Sequence, residues 1–313
     1  MNFSIPNSLL ESTNVLIAGA GGGFDVFAGL PLYFALRKLG KRVVLANLSF
    51  SYLGGTDALQ PVPGTYRMTD KTSAPGPYFP EGVLAQYLET REMSCPIYAF
   101  EKAGVRRVQS GYRYIVEEHE IDAIVLVDGG TDILMRGDES GLGTPEEDMV
   151  SLASVSTIDV PTRLVYCLGF GIDAFHGVCH AHFLENVAAL SQSGGFRGSM
   201  SLLPDMEESG FYLDAVRFSE ERMPSQPSIV NTSIASALAG EFGDVHRTER
   251  TKSSELFINP LMSMYWIFDL PALVSRSLYL DRLMNTDSIW DVQNEIQLFR
   301  GGQRKREYQP IPH

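Results

Sequence analysis

The chain predicts an α/β protein built on a doubly wound, mostly parallel sheet with a helical C-terminal elaboration. Short apolar runs at residues 14–18, 42–48, 96–100, 123–127 and 163–168 alternate with stretches of helical period. Three of these runs, at 14–18, 123–127 and 163–168, empty into glycine- and acid-bearing loops, where open α/β sheets place their chemistry. The third observation is composition. With 44% hydrophobic and 20% charged residues in 313, the chain can bury a substantial core without disulfides.

Residues 14–18 (NVLIA) read as a buried strand, followed by the turn GAGGGFD and an amphipathic pattern at Leu32, Ala35, Leu36 and Leu39. Either Pro31 opens that helix, where its missing N–H costs nothing, or the helix starts near Asp25 and Pro31 kinks it. Residues 42–48 complete a βαβ unit. Residues 49–80 lack a sustained period and are expected to form a partly ordered functional loop or lid. A helical stripe around Val83 to Leu88, a strand at 96–100, a helix over 105–118 and the strand at 123 continue the alternation. Thr144-Pro145-Glu146-Glu147 predicts a helix opened by a capping box. The strand at 163–168 leads to a helix carrying His176, Cys179, His180, His182 and Glu185. Beyond Gly194 the expectation is a mainly helical region over 195–300, with Ser288-x-x-Asp291 capping its last helix, and a mobile tail at 301–313. One domain spanning residues 1–313 is the preferred division, since no linker or repeat interrupts it.

A net charge of −13 disfavours nucleic acid or an anionic membrane as general partner. No window approaches a membrane span, and the first residues carry neither a basic n-region nor a long apolar run, so a cytoplasmic protein is expected. Cys95, Cys167 and Cys179 are odd in number and widely spaced, which fits free thiols. Met262, Met264, Tyr265, Trp266 and Phe268 are read as core or subunit interface, which leaves a homo-oligomer open. Arg304-Lys305-Arg306 is read as a solvated terminus.

The first glycine loop satisfies the opening of a dinucleotide fingerprint through Gly19 and Gly21, but its third position is Phe24. The acid expected at the end of the second strand is missing, with Asn47 and Ser49 in its place, so ordinary NAD binding is weakened. What survives is generic: the N–H groups of Gly21, Gly22 and Gly23 can cradle an anion. Asp25 either caps the helix or turns inward toward a ribose hydroxyl, an amine or a metal. Residues 128–148 (DGGTDILMRGDESGLGTPEED) supply Asp128, Asp132, Asp138 and Glu139, oxygen ligands of the kind Mg²⁺ or Mn²⁺ prefers, with Gly129 and Gly130 allowing the backbone to bend. The metal set read here is Asp128, Asp132 and Asp138. Gly169 and Gly171 add a third strand-end loop. His176 is the candidate acid or base, and His176, Cys179 and His180 offer an alternative zinc spacing on a shared helix face.

The segments GAGGGFDVFAGLPLYFALRKLGKRVVLANL, VDGGTDILMRGDESGLGTPEEDMVSLA and LGFGIDAFHGV resemble the family catalogued as domain of unknown function 1152, over roughly the first two thirds of the chain. The resemblance implies a Rossmann-like fold and supplies no reaction. The leading expectation is an enzyme acting on a small phosphorylated or nucleotide-like metabolite, a hydrolase or group transferase assisted by Mg²⁺ or Mn²⁺, with Asp128, Asp132 and His176 as catalytic residues. A non-catalytic metabolite sensor and an NAD(P) oxidoreductase with an altered fingerprint are the alternatives.

Overall fold

The computed structural model describes residues 3–253 and 256–311. Its strands are β1 (Asn14–Gly19), β2 (Arg42–Leu48), β3 (Leu59–Val62), β4 (Thr65–Met68), β5 (Ile97–Phe100), β6 (Ala123–Asp128), β7 (Thr162–Cys167), β8 (Phe196–Ser201), β9 (Gly243–Asp244), β10 (Phe257–Ile258) and β11 (Met264–Asp269). Nine of them form one sheet in the order β3-β4-β5-β2-β1-β6-β7-β11-β8, while β9 and β10 pair with each other. The central run from β5 to β7 is parallel. Antiparallel pairs extend it at both edges.

Alternation along the central strands explains the doubly wound form. Leu16, Ala18, Val44, Ala46, Ile124 and Leu126 face one buried cluster, while Val15, Ile17, Val43, Leu45, Val125 and Val127 face the other. Strands apolar on both faces need helices on both sides, because a bare face would leave that surface in water. The helix Val105–His119 meets this need with buried Val105, Val108, Tyr112 and Ile115 at helical spacing, and ends at Glu120 in the left-handed region.

Several expectations change. The chain after β1 forms two helices, Asp25–Ala28 and Leu30–Lys38, divided at Gly29 with Pro31 in the first turn of the second. Residues 49–80 contain a 3-10 turn at Leu53–Gly55 and the hairpin β3–β4, which adds to the sheet edge. Beyond Gly194 the chain is not only helical: it contributes β8 and β11, with Tyr265 and Ile267 in one core cluster and Phe268 in the other. The helix Pro145–Ser156 forms, but Thr144 makes no side-chain cap, since its N–H and hydroxyl both donate to Asp132. The Ser288 and Asp291 capping box is present at the start of the helix Ile289–Gly302. The described part of the tail is anchored. The guanidinium of Arg306 pairs with Asp138, Glu139 and Glu185, and the Gln309 N–H meets the Cys179 sulfur at 3.4 Å. Among the described residues, no helix is long and apolar enough to cross a membrane.

The strand order contains a switch point. From β1 the chain winds outward through β2 to β5, then crosses to β6 and continues to β7 on the other side of β1. Loops leaving β1 and β6 therefore diverge to opposite faces and leave a crevice between their carboxyl ends.

Candidate functional site

The crevice holds a cluster of acids. Asp128 is the last residue of β6, Asp25 follows the glycine turn after β1, and Asp173 lies in the 3-10 turn Ile172–His176 after β7. Asp132 occupies the 3-10 turn Asp132–Leu134, and Asp148 projects from the first turn of the helix Pro145–Ser156. Asp128, Asp132, Asp148 and Asp173 are buried, whereas Asp25 and its neighbour Gly21 retain partial exposure and mark the open side.

One carboxylate oxygen from each of Asp25, Asp128 and Asp148 lies within 4.8 Å of the other two. An octahedral ion with oxygens at ~2.1 Å spaces its ligands roughly 3–4 Å apart, close to this span. Among the described residues this is the one group of three or more His, Cys, Asp or Glu side chains so spaced. The remaining acids are partly committed. Asp132 Oδ2 accepts the Thr144 N–H at 2.7 Å, and Asp173 Oδ2 accepts the Thr131 N–H at 2.7 Å. Asp25 Oδ2 accepts the Gly21 N–H at 2.6 Å and Asp128 Oδ2 the Ile133 N–H at 3.3 Å. Asp148 differs: its Oδ1 is buried with no hydrogen-bond partner.

The electrostatics follow from this crowding. Burial, reinforced by the charge of Asp132, pushes Asp25 up to about 8 against the hydrogen bond from Gly21. Burial first, and the neighbouring carboxylates second, hold Asp128, Asp148 and Asp173 well above the usual carboxylate range. Like charges this close cannot all ionise unless protons or a cation offset them.

The glycines serve the acids. A Cβ on Gly21 would stand 2.8 Å from Asp25 Oδ2 and 2.9 Å from Asp148 Oδ1, and one on Gly129 would stand 2.8 Å from Asp25 Oδ1. Gly130 is likewise pressed against Asp173, and Gly19 against Asn47. The anion cradle expected at Gly21, Gly22 and Gly23 is largely spent internally, with Gly21 N–H on Asp25 and Gly23 N–H on the Leu48 carbonyl. Gly21→Ala is expected to destabilise the chain by about 1–3 kcal/mol, because the methyl collides with two carboxylates. A urea midpoint lowered at unchanged slope is the check.

Asp138 and Glu139 lie outside the cluster. Asp138 pairs with Arg136 and Arg306, and fully buried Glu139 accepts the N–H groups of Arg136 and Gly137 and the Asn186 amide. His176 is exposed at the end of its 3-10 turn, near Asp132, whose pKa burial raises against the hydrogen bonds from Thr144. The shared helix face for His176, Cys179 and His180 does not form. Gly177, left-handed at φ 85°, ends the 3-10 turn, and the helix begins only at His180, which stacks on Phe170. Gly169 and Gly171 shape the β7 loop in left-handed conformations.

Sequence reading missed Asp148, Asp173 and Glu81. Asp173 stood in the GFGID segment after β7 and obeyed the same strand-end rule as Asp128. Glu81, from the helix Pro80–Thr90, supplies an acid beside the end of β2, where Asn47 Nδ2 donates to it at 2.8 Å. It is fully buried and cannot reach a ribose.

No curated protein and no solved structure matches the chain. A family match covers residues 68–301, which leaves the first glycine loop outside it and takes in the C-terminal region that carries no motif recognised from sequence. With three quarters of its length so matched, the chain belongs to the family described as protein of unknown function (DUF1152).

Proposed function

We propose that the chain is a divalent-cation-dependent hydrolase or group transferase acting on a small phosphorylated metabolite, with Mg²⁺ or Mn²⁺ held by Asp25, Asp128 and Asp148. The observation that carries this reading is Asp148 Oδ1, buried without a partner beside two other carboxylates at the switch point. An unpaired buried carboxylate oxygen is costly, and a hard cation is a partner that would satisfy it together with one oxygen each from Asp25 and Asp128. Asp138 has no part in this set, because its carboxylate is committed to two arginines.

An ion held by Asp25, Asp128 and Asp148 would offset the charge of acids that otherwise repel a phosphoryl group, and would supply Lewis-acid activation of water. In hydrolysis water would add to phosphorus as the bond to the leaving oxygen breaks, and His176, on the exposed rim near Asp132, would protonate that departing oxygen. The internal use of the Gly21 and Gly23 N–H groups argues against the NAD(P) alternative.

The test is a thermal midpoint with and without Mg²⁺ and Mn²⁺, followed by turnover of phosphate monoesters. Expected are a cation-dependent rise in midpoint, cation-dependent release of phosphate, and a roughly 100- to 10,000-fold loss of kcat in His176→Ala. No midpoint rise with either ion overturns the reading. Cation binding without turnover of any ester replaces it with a sensor.

A further inference from the structure

The segment from Arg136 to Ser140 lies between the turn that carries Asp132 and the helix that carries Asp148, and it forms neither helix nor strand. The carbonyls of such a loop need partners from elsewhere, ordinarily water. Here all five accept from residues 278 to 306 instead. The Leu278 N–H donates to the Arg136 carbonyl at 2.9 Å, and the Arg306 N–H to the Asp138 carbonyl at 2.8 Å. The Arg300 guanidinium holds the other three: Nη1 donates to the carbonyls of Gly137 at 3.0 Å and Glu139 at 2.6 Å, and Nη2 to that of Ser140 at 3.2 Å.

Side chains reinforce this hold. Arg306 Nε donates to Asp138 Oδ1 at 3.1 Å, its Nη2 lies 3.2 Å from Glu139 Oε1, and its Nη1 pairs with Glu185 of the helix His180–Gln192. Fully buried Glu139 grips the loop from inside, accepting the Gly137 N–H at 2.8 Å and the Asn186 amide at 2.9 Å. Gly137, left-handed at φ 126°, permits the close approach: a Cβ there would stand 2.7 Å from the Tyr279 ring and 2.8 Å from the Phe299 ring.

The loop leads directly into the acid cluster. Gly143 is pressed against the Asp132 carboxylate, the Thr144 N–H donates to Asp132 Oδ2 at 2.7 Å, and Asp148 follows in the first turn of the helix Pro145–Ser156. Asp128 ends a strand paired on both sides, whereas Asp148 is placed by this loop and the helical turn that follows it. We propose that Arg300 and Arg306 are positioning residues for the cation site, holding the loop so that Asp148 meets Asp25 and Asp128. The inference rests on the cation reading above, and both guanidinium groups act through the loop rather than on the ion. Mg²⁺ demands oxygens at about 2.0–2.1 Å, so a small displacement of one carboxylate weakens the site.

The test is isothermal titration calorimetry of the full chain with Mn²⁺, well below the unfolding transition, where affinity reports the shape of the site rather than the stability of the fold. Arg300→Gln is expected to weaken Mn²⁺ binding roughly 10- to 100-fold, the range for losing a group that orients a metal ligand. Arg306→Gln is expected to weaken it less, because the residue 306 N–H still holds the Asp138 carbonyl. Arg300→Lys keeps the charge and part of the donor set and is expected to recover part of the loss. Arg282→Gln is the comparison: its partner at 3.8 Å, Glu295, lies on the helix Ile289–Gly302 and not on the loop, so wild-type affinity is expected. Wild-type affinity in Arg300→Gln, or in Arg306→Gln where Arg300→Gln does not fold, overturns the proposal and leaves the cation site standing. So does an equal loss in Arg282→Gln. Absence of Mn²⁺ binding in the wild-type chain overturns the cation reading and this inference with it.

Discussion

Asp148→Asn is expected to raise the stability of the metal-free protein and, in the same molecule, to abolish its response to Mn²⁺. The carboxylate is 1% exposed, one of its oxygens has no partner, and Asp128, Asp132 and Asp25 all raise the cost of its charge. Replacing it with an amide of the same shape removes that repulsion, and the new N–H group can donate to a neighbouring carboxylate. A gain of about 1–3 kcal/mol in chelator is expected, the range for an unsatisfied buried polar group. The wild-type chain in excess Mn²⁺ gains instead through binding, about 2.7 kcal/mol at a hundredfold excess over Kd, or on the order of 5 °C in midpoint. The variant loses this increment because one of three ligands is gone. A variant that is stabilised in chelator and blind to Mn²⁺ satisfies both expectations. Retention of the full Mn²⁺ shift removes Asp148 from the ligand set.

Glu81→Gln is expected to stabilise the chain above neutrality and to leave it unchanged in mild acid. Burial pushes Glu81 from 4.5 to about 7, against hydrogen bonds from Asn47 and Ser49. The folded state therefore keeps a proton that the unfolded chain has released. Stability is full below about pH 4.5, declines as pH rises, and is lower by about 3 kcal/mol once pH exceeds 7. Glutamine mimics the neutral acid and still accepts from Asn47 Nδ2. The difference between variant and wild type, measured by urea unfolding between about pH 5 and pH 8.5, isolates this group because the crevice acids are common to both. A difference that does not grow with pH would show that Glu81 ionises normally.

The sheet was legible because its signal is local. Each central strand is a short apolar run bounded by turn residues, and Asp128 was visible because β6 stops at it. The edge strand β8 and its neighbour β11 were not. Phe196 to Ser201 is largely polar and only partly buried, so it lacks the apolar alternation that marks a half-buried strand. The Thr144 cap failed for a related reason. Thr144 has the right type and spacing, but a neighbour distant by 12 residues, Asp132, takes its donors. Asp148 was read as part of a capped helix start, which is true of its backbone and silent about its side chain.

By itself the sequence determined the alternation of strands and helices, the strand ends where loops could carry chemistry, and the presence of acids and glycines there. These follow from periods of two and 3.6 residues and from local turn chemistry. Only the tertiary structure decided which acids meet. Asp25, Asp128 and Asp148 come from three separate segments and converge because the chain reverses its winding between β1 and β6, whereas Asp138, nearer Asp128 in sequence than Asp148 is, turns away to Arg136 and Arg306. Strand order and the packing of glycine against carboxylate are set by contacts between distant parts of the chain, which no local pattern records.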